Sequence, residues 1–196
     1  ASLIDEYTVN PDLPIIFSYD FNIGEGKPMS VLFMQEVNGE YICFDEIVIH
    51  TSRTLDTLEE AEAKGLFDID TEYSIRGDCS GGTRTTNYHK VDYQITKEFL
   101  SGINRKYSYN VPASNPPVRK RHVIVNGLLK NALGETKIKI VKSKCPTLIK
   151  GLKLSKLKKN CNYIEDDSDY YQHITTALGY AVMRGINKPV SRTVQL

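Results

Sequence analysis

The sequence contains no long apolar run, no zinc-type cysteine pairing and no nucleotide-binding glycine loop. None of its apolar stretches approaches the about 20 residues that a membrane-spanning helix needs, so we expect no membrane contact. Residues 1–6 show no basic head followed by an apolar stretch, which predicts that no signal peptide is present. The cysteines lack Cys-x-x-Cys spacing, which argues against zinc and, without a secretion signal, predicts reduced thiols: Cys43, Cys79, Cys145 and Cys161.

The glycines and lysine of segment 24–28 do not form an ATP-binding loop. They lack the spacing Gly-x-x-x-x-Gly-Lys-Ser/Thr, and Pro28 follows Lys27. We therefore expect no nucleotide-driven motor within these 196 residues. Their hydrophobic fraction of 40% is enough for a real core, and the length predicts one domain spanning 1–196.

Charge is distributed unevenly along the chain. The net charge is only +1, yet residues 105–159 carry +14 and the remainder carries −13. This asymmetry favours a site that holds a metal with acids and a polyanion with lysines. A solvated lysine-rich face is the alternative, and the lack of acids between Thr136 and Asn160 argues for nucleic acid.

Alternation, turn signals and helical spacing predict a sequence of strands and helices. The predicted strands span 15–22, 29–37, 41–50, 72–78, 107–111 and 138–141, the last as an edge strand or hairpin arm. The predicted helices span 54–65, 91–103, 119–132, 145–154 and 169–184. Three antiparallel strands, a helix, a parallel strand, a helix and another strand predict an α/β fold of the ribonuclease-H-like class. We expect a mixed sheet of five or more strands with helices on both faces, and a basic appendage or hairpin at 137–160.

Two aspartates mark the carboxyl ends of predicted strands. Asp20 lies near the carboxyl end of the run Ile15–Asn22, and Asp78 is the last residue of Glu72–Asp78, before a glycine-rich loop. Each alone could be a turn residue, but neighbouring strands would bring the two carboxylates to one edge. Close carboxylates repel unless a cation neutralises them, and hard oxygen ligands suit Mg²⁺ or Mn²⁺. With a third acid, such a group suits two-metal phosphodiester hydrolysis.

The final predicted helix offers the third acid. Asp169, His173 and Thr176 share a stripe beside its apolar face and can point together at the sheet edge. We predict Asp169 as a metal ligand and His173 as a group that orients a water or phosphate. Asp166 and Asp167 are alternatives to Asp169, because helix starts are uncertain by a few residues. A structural explanation is also open for each predicted residue: Asp169 as an acid that complements the helix dipole, and His173 as a packed or surface histidine.

Basic residues are predicted to bind the DNA backbone without reading sequence. One lies in the loop after Asp78 and the others lie in the basic half of the chain: Arg84, Arg119, Arg121, Lys139, Lys153, Lys156 and Lys158.

An ordered set of short motifs resembles the C-terminal nuclease domain of phage terminase large subunits. The motifs are Tyr19–Asn22 with Lys27–Met29, Gly77–Gly81, Asn115–Arg119, Cys145–Ile149 and His173–Tyr180, and together they cover nearly the whole chain. The resemblance implies a metal-dependent endonuclease that cuts concatemeric viral DNA and normally follows an ATPase motor. It assigns Asp20 and Asp78 to the first two metal-binding acids.

The resemblance also implies partners and a location. They are double-stranded DNA, the portal protein and a small terminase subunit, in the cytoplasm of an infected host cell at the procapsid portal. We expect two divalent ions and a monomeric isolated domain. One departure stands out, because Thr176 occupies the position where the family often has an aspartate ligand.

Two rival functions remain open on the sequence. A Holliday-junction resolvase or transposase core would use the same acids and prefer branched DNA or specific ends. A degenerate fold that only binds DNA or docks on a portal ring would bind metal without cleaving.

Overall fold

The computed structural model describes residues 1–22, 26–83, 90–159, 163–166 and 168–186, the side chains of 184–186 excepted. Within these ranges the strands are β1 (Ser2–Ile4), β2 (Ile15–Asp20), β3 (Pro28–Val37), β4 (Glu40–His50), β5 (Tyr73–Gly77), β6 (Tyr107–Tyr109) and β7 (Ile138–Val141). The helices are α1 (Thr54–Ala63), α2 (Asp92–Gly102), α3 (Val118–Leu129), α4 (Pro146–Leu154) and α5 (Gln172–Ile186). In the described part of the chain no helix has both the length and the apolar character needed to span a membrane.

The strands form one mixed sheet in the order β1-β7-β4-β3-β2-β5-β6. β2, β3 and β4 pair antiparallel, and the turn at Asn38 and Gly39 has the positive φ values that an Asn-Gly hairpin requires. β5 returns parallel to β2 after α1, and β6 continues parallel after α2. The predicted ribonuclease-H-like α/β fold, with helices on both faces of the sheet, is confirmed.

The two faces of the sheet carry different cores. One face is rich in aromatic side chains, with Phe17 stacked on Phe33 at 5.7 Å between ring centroids, and it packs against α1 and α2. The other face is aliphatic, with Ile16 and Leu32 among its buried residues, and it packs against α3, α4 and α5. β2 therefore lies buried on both faces, and all six of its residues are buried.

The predicted edge position of 138–141 is wrong. β7 lies between β1 and β4 and pairs parallel with both, so it is an inner strand of the sheet. The three residues of β1 pair with the outer side of β7. Their side chains are not fully buried, so they gave no usable pattern in the sequence. The first part of the basic segment 137–160 is thus built into the sheet and core rather than set apart as a hairpin.

Candidate metal centre

Asp20 and Asp78 lie side by side at the carboxyl edge of β2 and β5. The last register pair of these strands is Tyr19 with Gly77, and the next backbone N–H, that of Asp78, donates to the Tyr19 carbonyl at 3.1 Å. Burial raises the pKa of the Asp20 carboxyl, and the nearby charge of Asp78 raises it further. Interactions with His173 and Asn22 lower the pKa but do not cancel this rise. The predicted meeting of the two strand-end acids is therefore present in the structure.

One oxygen of Asp20 is held by two side chains. Its Oδ2 lies 2.9 Å from His173 Nδ1 and accepts a hydrogen bond from Asn22 Nδ2 at 3.0 Å. Asn22 also donates to the carbonyl of Pro28 at 3.3 Å, so it fixes the chain just after β2. No described residue donates to the other oxygen, Oδ1, although the side chain of Asp20 is buried.

One oxygen of Asp78 is held in the same way. Its Oδ1 accepts from the backbone N–H of Ser80 at 2.8 Å and from Asn115 Nδ2 at 2.7 Å. The Asn115 Oδ1 accepts in turn from the N–H of Cys79 at 2.9 Å. Among the described residues nothing donates to Asp78 Oδ2, and no lysine or arginine forms an ion pair with either aspartate.

Gly77 allows the backbone to make the turn that presents Asp78. Its φ is +134°, and a Cβ there would lie 2.5 Å from the carbonyl oxygen of Tyr19 and 2.8 Å from the hydroxyl of Tyr93. The space is used instead by Tyr93, whose hydroxyl donates to the Asp78 carbonyl at 2.8 Å. A residue without a side chain is needed at this point for steric and conformational reasons.

His173 reaches the edge from the first turn of α5. Its side chain is buried, and its Nε2 has no hydrogen-bond partner in the described structure. Two side chains dock this helix on the sheet: Ser18 Oγ donates to the Ala177 carbonyl at 2.8 Å, and Arg76 Nη1 donates to that of Ala181 at 2.6 Å. An imidazole whose Nδ1 is held by a carboxylate presents Nε2 for a further interaction.

The structure does not bring Asp169 to the aspartate pair. Asp169 lies in the exposed turn before α5, and its Oδ2 accepts from the Tyr171 hydroxyl at 2.5 Å. Across the residues that the structure describes, no group of three or more His, Cys, Asp or Glu side chains is arranged to hold a metal. Asp166, an alternative to Asp169 as the third ligand, is half-buried, and Asp167 lies outside the described residues. A third ligand from this segment stays a prediction.

Thr176 and Tyr180 occupy the α5 positions nearest to His173 on the same stripe. Thr176 is buried, and its hydroxyl accepts from Gln172 Nε2 at 2.8 Å. Burial raises the pKa of the Tyr180 hydroxyl, and the charges of Asp20 and Asp78 add to this rise.

The structure places the predicted DNA-binding residues in different environments. Lys153, Lys156, Lys158 and Arg119 are exposed, whereas Lys139 is half-buried and pairs with Glu40 at 2.7 Å.

Arg121 is buried, and its guanidinium pairs with Glu165 at 3.0 Å. Arg121 was predicted to bind DNA from the surface, but its guanidinium instead contacts Glu165 and the ring of Tyr180 inside the protein. Arg84 lies outside the described residues.

Sequence reasoning gave no chemical role to Asn22, Asn115 or Tyr180. All three stand inside motifs that carried the family resemblance, which was the available signal. Their roles depend on contacts across up to 151 residues of chain, such as Asn22 with His173, and no local pattern encodes such contacts.

Comparison with known proteins points to one fold. A scan against protein-family models finds no match, and neither does a comparison with curated protein sequences. Among solved structures, the chain is similar to the g2p large terminase nuclease domain of bacteriophage SPP1 with bound Mn. The TM-score is 0.53 at 15% identity, covering 94% of this chain and 96% of that one.

Two further structures show the same likeness. For the large terminase nuclease of thermophilic phage G20c with bound magnesium, the TM-score is 0.53 at 15% identity, over 91% of this chain and 84% of that one. For the large terminase of thermophilic bacteriophage D6E, the TM-score is 0.58 at 12% identity. The match covers 91% of this chain but 41% of the D6E protein. The chain therefore has the fold of large terminase nuclease domains, as its motifs indicated.

Proposed function

We propose that this chain is a divalent-metal-dependent DNA endonuclease, the nuclease part of a terminase that cuts concatemeric viral DNA during genome packaging. One observation carries the proposal. Asp20 and Asp78 each have one oxygen held by protein donors, and each has a second oxygen without a donor among the described residues. Such a donor set fits a hard ion such as Mg²⁺ or Mn²⁺.

The protein groups have separate roles in this proposal. Asp20 and Asp78 hold the shared ion. His173 fixes the orientation of Asp20 through Nδ1 and is the proposed group that orients a water or a phosphate oxygen. Asp169 remains the proposed third ligand for a second ion. When bound, the ions supply charge neutralisation at the phosphate and lower the pKa of a water. The exposed lysines of 153–159 and Arg119 bind the duplex backbone.

The proposed setting is supported by the resemblance of the chain to large terminase nuclease domains. Double-stranded DNA is the substrate, with the portal protein and a small terminase subunit as partners in the cytoplasm of the infected cell. The structures of the SPP1 and G20c nuclease domains with Mn and magnesium support the use of a divalent ion.

The test is plasmid cleavage with Mn²⁺, Mg²⁺ or EDTA. We expect metal-dependent nicking by the wild type and a loss of more than about a hundredfold in Asp20→Asn and Asp78→Asn, because even outer-sphere changes cost 10–100-fold in metal sites. The exposed Asp70→Asn is the matched control and should cut normally. Normal cleavage by both site variants would refute the assignment.

A second candidate is a module that binds DNA or a portal ring without cutting. Thr176 favours it, because a neutral hydroxyl bonded to Gln172 stands where the family often has an aspartate ligand. Metal binding measured by calorimetry without cleavage under any divalent ion would select this function.

A further inference from the structure

A pocket of about 230 Å³ opens next to Asp78. Three prolines of segment 112–117 line one side of it, and Tyr180 and Met183 of α5 line another. Lys120, in the first turn of α3, completes the lining together with Ser114 and Asn115. The pocket is smaller than the cavities that hold drug-sized ligands, so it suits a single compact unit.

Two of its residues connect the pocket to the aspartate pair. Asn115 lines the pocket and donates to Asp78 Oδ1 at 2.7 Å. Tyr180 lines it from α5, the helix whose first turn places His173 Nδ1 at 2.9 Å from Asp20 Oδ2. A group held in this pocket would therefore lie beside the proposed metal centre.

The charge of the pocket favours an anion. Lys120 is exposed and pairs with no carboxylate in the described structure, and no acid is among the pocket residues. The larger groove beside Lys64, in contrast, is lined by Glu46 and Glu60. The first turn of α3 also contains no acid, so its positive end adds to the field of Lys120.

Part of the pocket wall is apolar and stiff, beside the polar side chains of Ser114, Asn115 and Lys120. Proline rings have a fixed φ, so Pro112, Pro116 and Pro117 form a surface that needs little ordering when a ligand binds. Proline rings and the buried tyrosine ring suit a deoxyribose, which has apolar faces and a phosphate on either side. A purely anionic ligand such as free phosphate would leave these walls unused.

We propose that this pocket binds the deoxyribose-phosphate unit next to the scissile phosphodiester, with Lys120 on its phosphate and the prolines and Tyr180 against its sugar. This inference rests on the proposed function, because it takes DNA as the substrate. It gives the strand a fixed position relative to Asp20 and Asp78 without any contact to a base.

The experiment measures DNA binding separately from cleavage. Ser114→Trp fills the pocket with a side chain from its exposed wall, and Lys120→Ala removes the cation. The controls are Ser101→Trp on the exposed end of α2 and Lys130→Ala at the other end of α3. A short fluorescein-labelled duplex is titrated by anisotropy at several salt concentrations, and Mn²⁺ binding is followed by calorimetry.

We expect Ser114→Trp to weaken duplex binding and raise KM by about tenfold or more, with Mn²⁺ binding unchanged. Lys120→Ala should reduce the slope of log K against log salt by about one, whereas Lys130→Ala should not. Duplex binding by Ser114→Trp and Lys120→Ala at the level of their controls would overturn the proposal, even if the wild type cleaves. Failure of the proposed endonuclease function would instead appear as wild-type protein that binds the duplex in a Lys120-dependent way and never cuts it.

Discussion

The backbone N–H of Asp78 donates to the carbonyl oxygen of Tyr19 one residue beyond the last regular pair of β2 and β5. This hydrogen bond extends the parallel ladder past Gly77 and ties the start of the following loop to β2. The spacing of Asp20 and Asp78 is therefore set by the backbone of the sheet. Hydrogen bonds from neighbouring residues and from the distant Asn115 and His173 then fix the orientation of each carboxylate.

Gly77→Ala is expected to destabilise the protein by about 3 kcal/mol, which corresponds to a fall of roughly 10 °C in Tm for a chain of this size. The new Cβ would lie 2.5 Å from the Tyr19 carbonyl in a backbone conformation with φ of +134°. Thermal and urea unfolding measure the effect. Gly102→Ala, where a Cβ meets nothing within 4 Å, should change the free energy of unfolding little. Equal stability of the two variants would contradict the strain at Gly77.

Asn115→Ala is expected to weaken Mn²⁺ binding by about 10–100-fold, because Asn115 orients Asp78 through one hydrogen bond and holds the Cys79 N–H through another. Calorimetric titration with Mn²⁺ measures this loss, and circular dichroism checks the fold. Asn126→Ala, an exposed asparagine on α3, is the control. Unchanged Mn²⁺ affinity in Asn115→Ala would show that Asp78 does not need this positioning.

Comparing His173→Ala with Asp169→Ala tests which of the two residues acts together with Asp20 and Asp78. His173 Nδ1 lies 2.9 Å from Asp20, whereas Asp169 bonds to Tyr171, so this geometry predicts a large loss of cleavage for His173→Ala. If Asp169 is a ligand that engages only when the ions bind, Asp169→Ala should also lose Mn²⁺ affinity by at least about tenfold. Plasmid cleavage and Mn²⁺ titration are both needed. An Asp169→Ala variant with full affinity would remove Asp169 from the proposed ligand set.

Acid should weaken the contact between α3 and the segment that precedes α5. Burial acts to raise the pKa of Glu165, but hydrogen bonds and charges from His122 and Arg121 outweigh it and leave the pKa below its ordinary value of 4.5. Glu165 therefore stabilises the fold fully above about pH 4.5, and this contribution disappears as the pH falls through the lowered pKa.

Glu165→Gln is expected to cost about 3 kcal/mol at neutral pH, because it leaves the buried Arg121 without its partner. The cost should shrink in acid, where Glu165 itself becomes neutral. Urea unfolding at several pH values measures both effects, with the exposed Glu62→Gln as control. A penalty that stays constant down to strongly acidic pH would contradict the ion pair.

The sequence predicted the central strands and the aspartate pair because both follow from local chemistry. Buried runs that end in a polar turn residue are visible without a partner, and the crossover rule places β5 beside β2. Arg121 was predicted on the surface because Glu165, its partner, lies 44 residues further along the chain. β1 was missed for a related reason, since three partly exposed residues become a strand only when β7 is there to pair with them.

The contact between His173 and Asp20 joins two groups that are 153 residues apart, one at the second strand and the other in the last described helix. A contact of such long range forms only when the entropy cost of closing the loop between its residues has been met. During synthesis, the two carboxylates can come together once β5 has left the ribosome, but the imidazole arrives only when α5 does. A nascent or truncated chain would thus carry an incomplete site, and the proposed cleavage of DNA would appear only after α5 has docked.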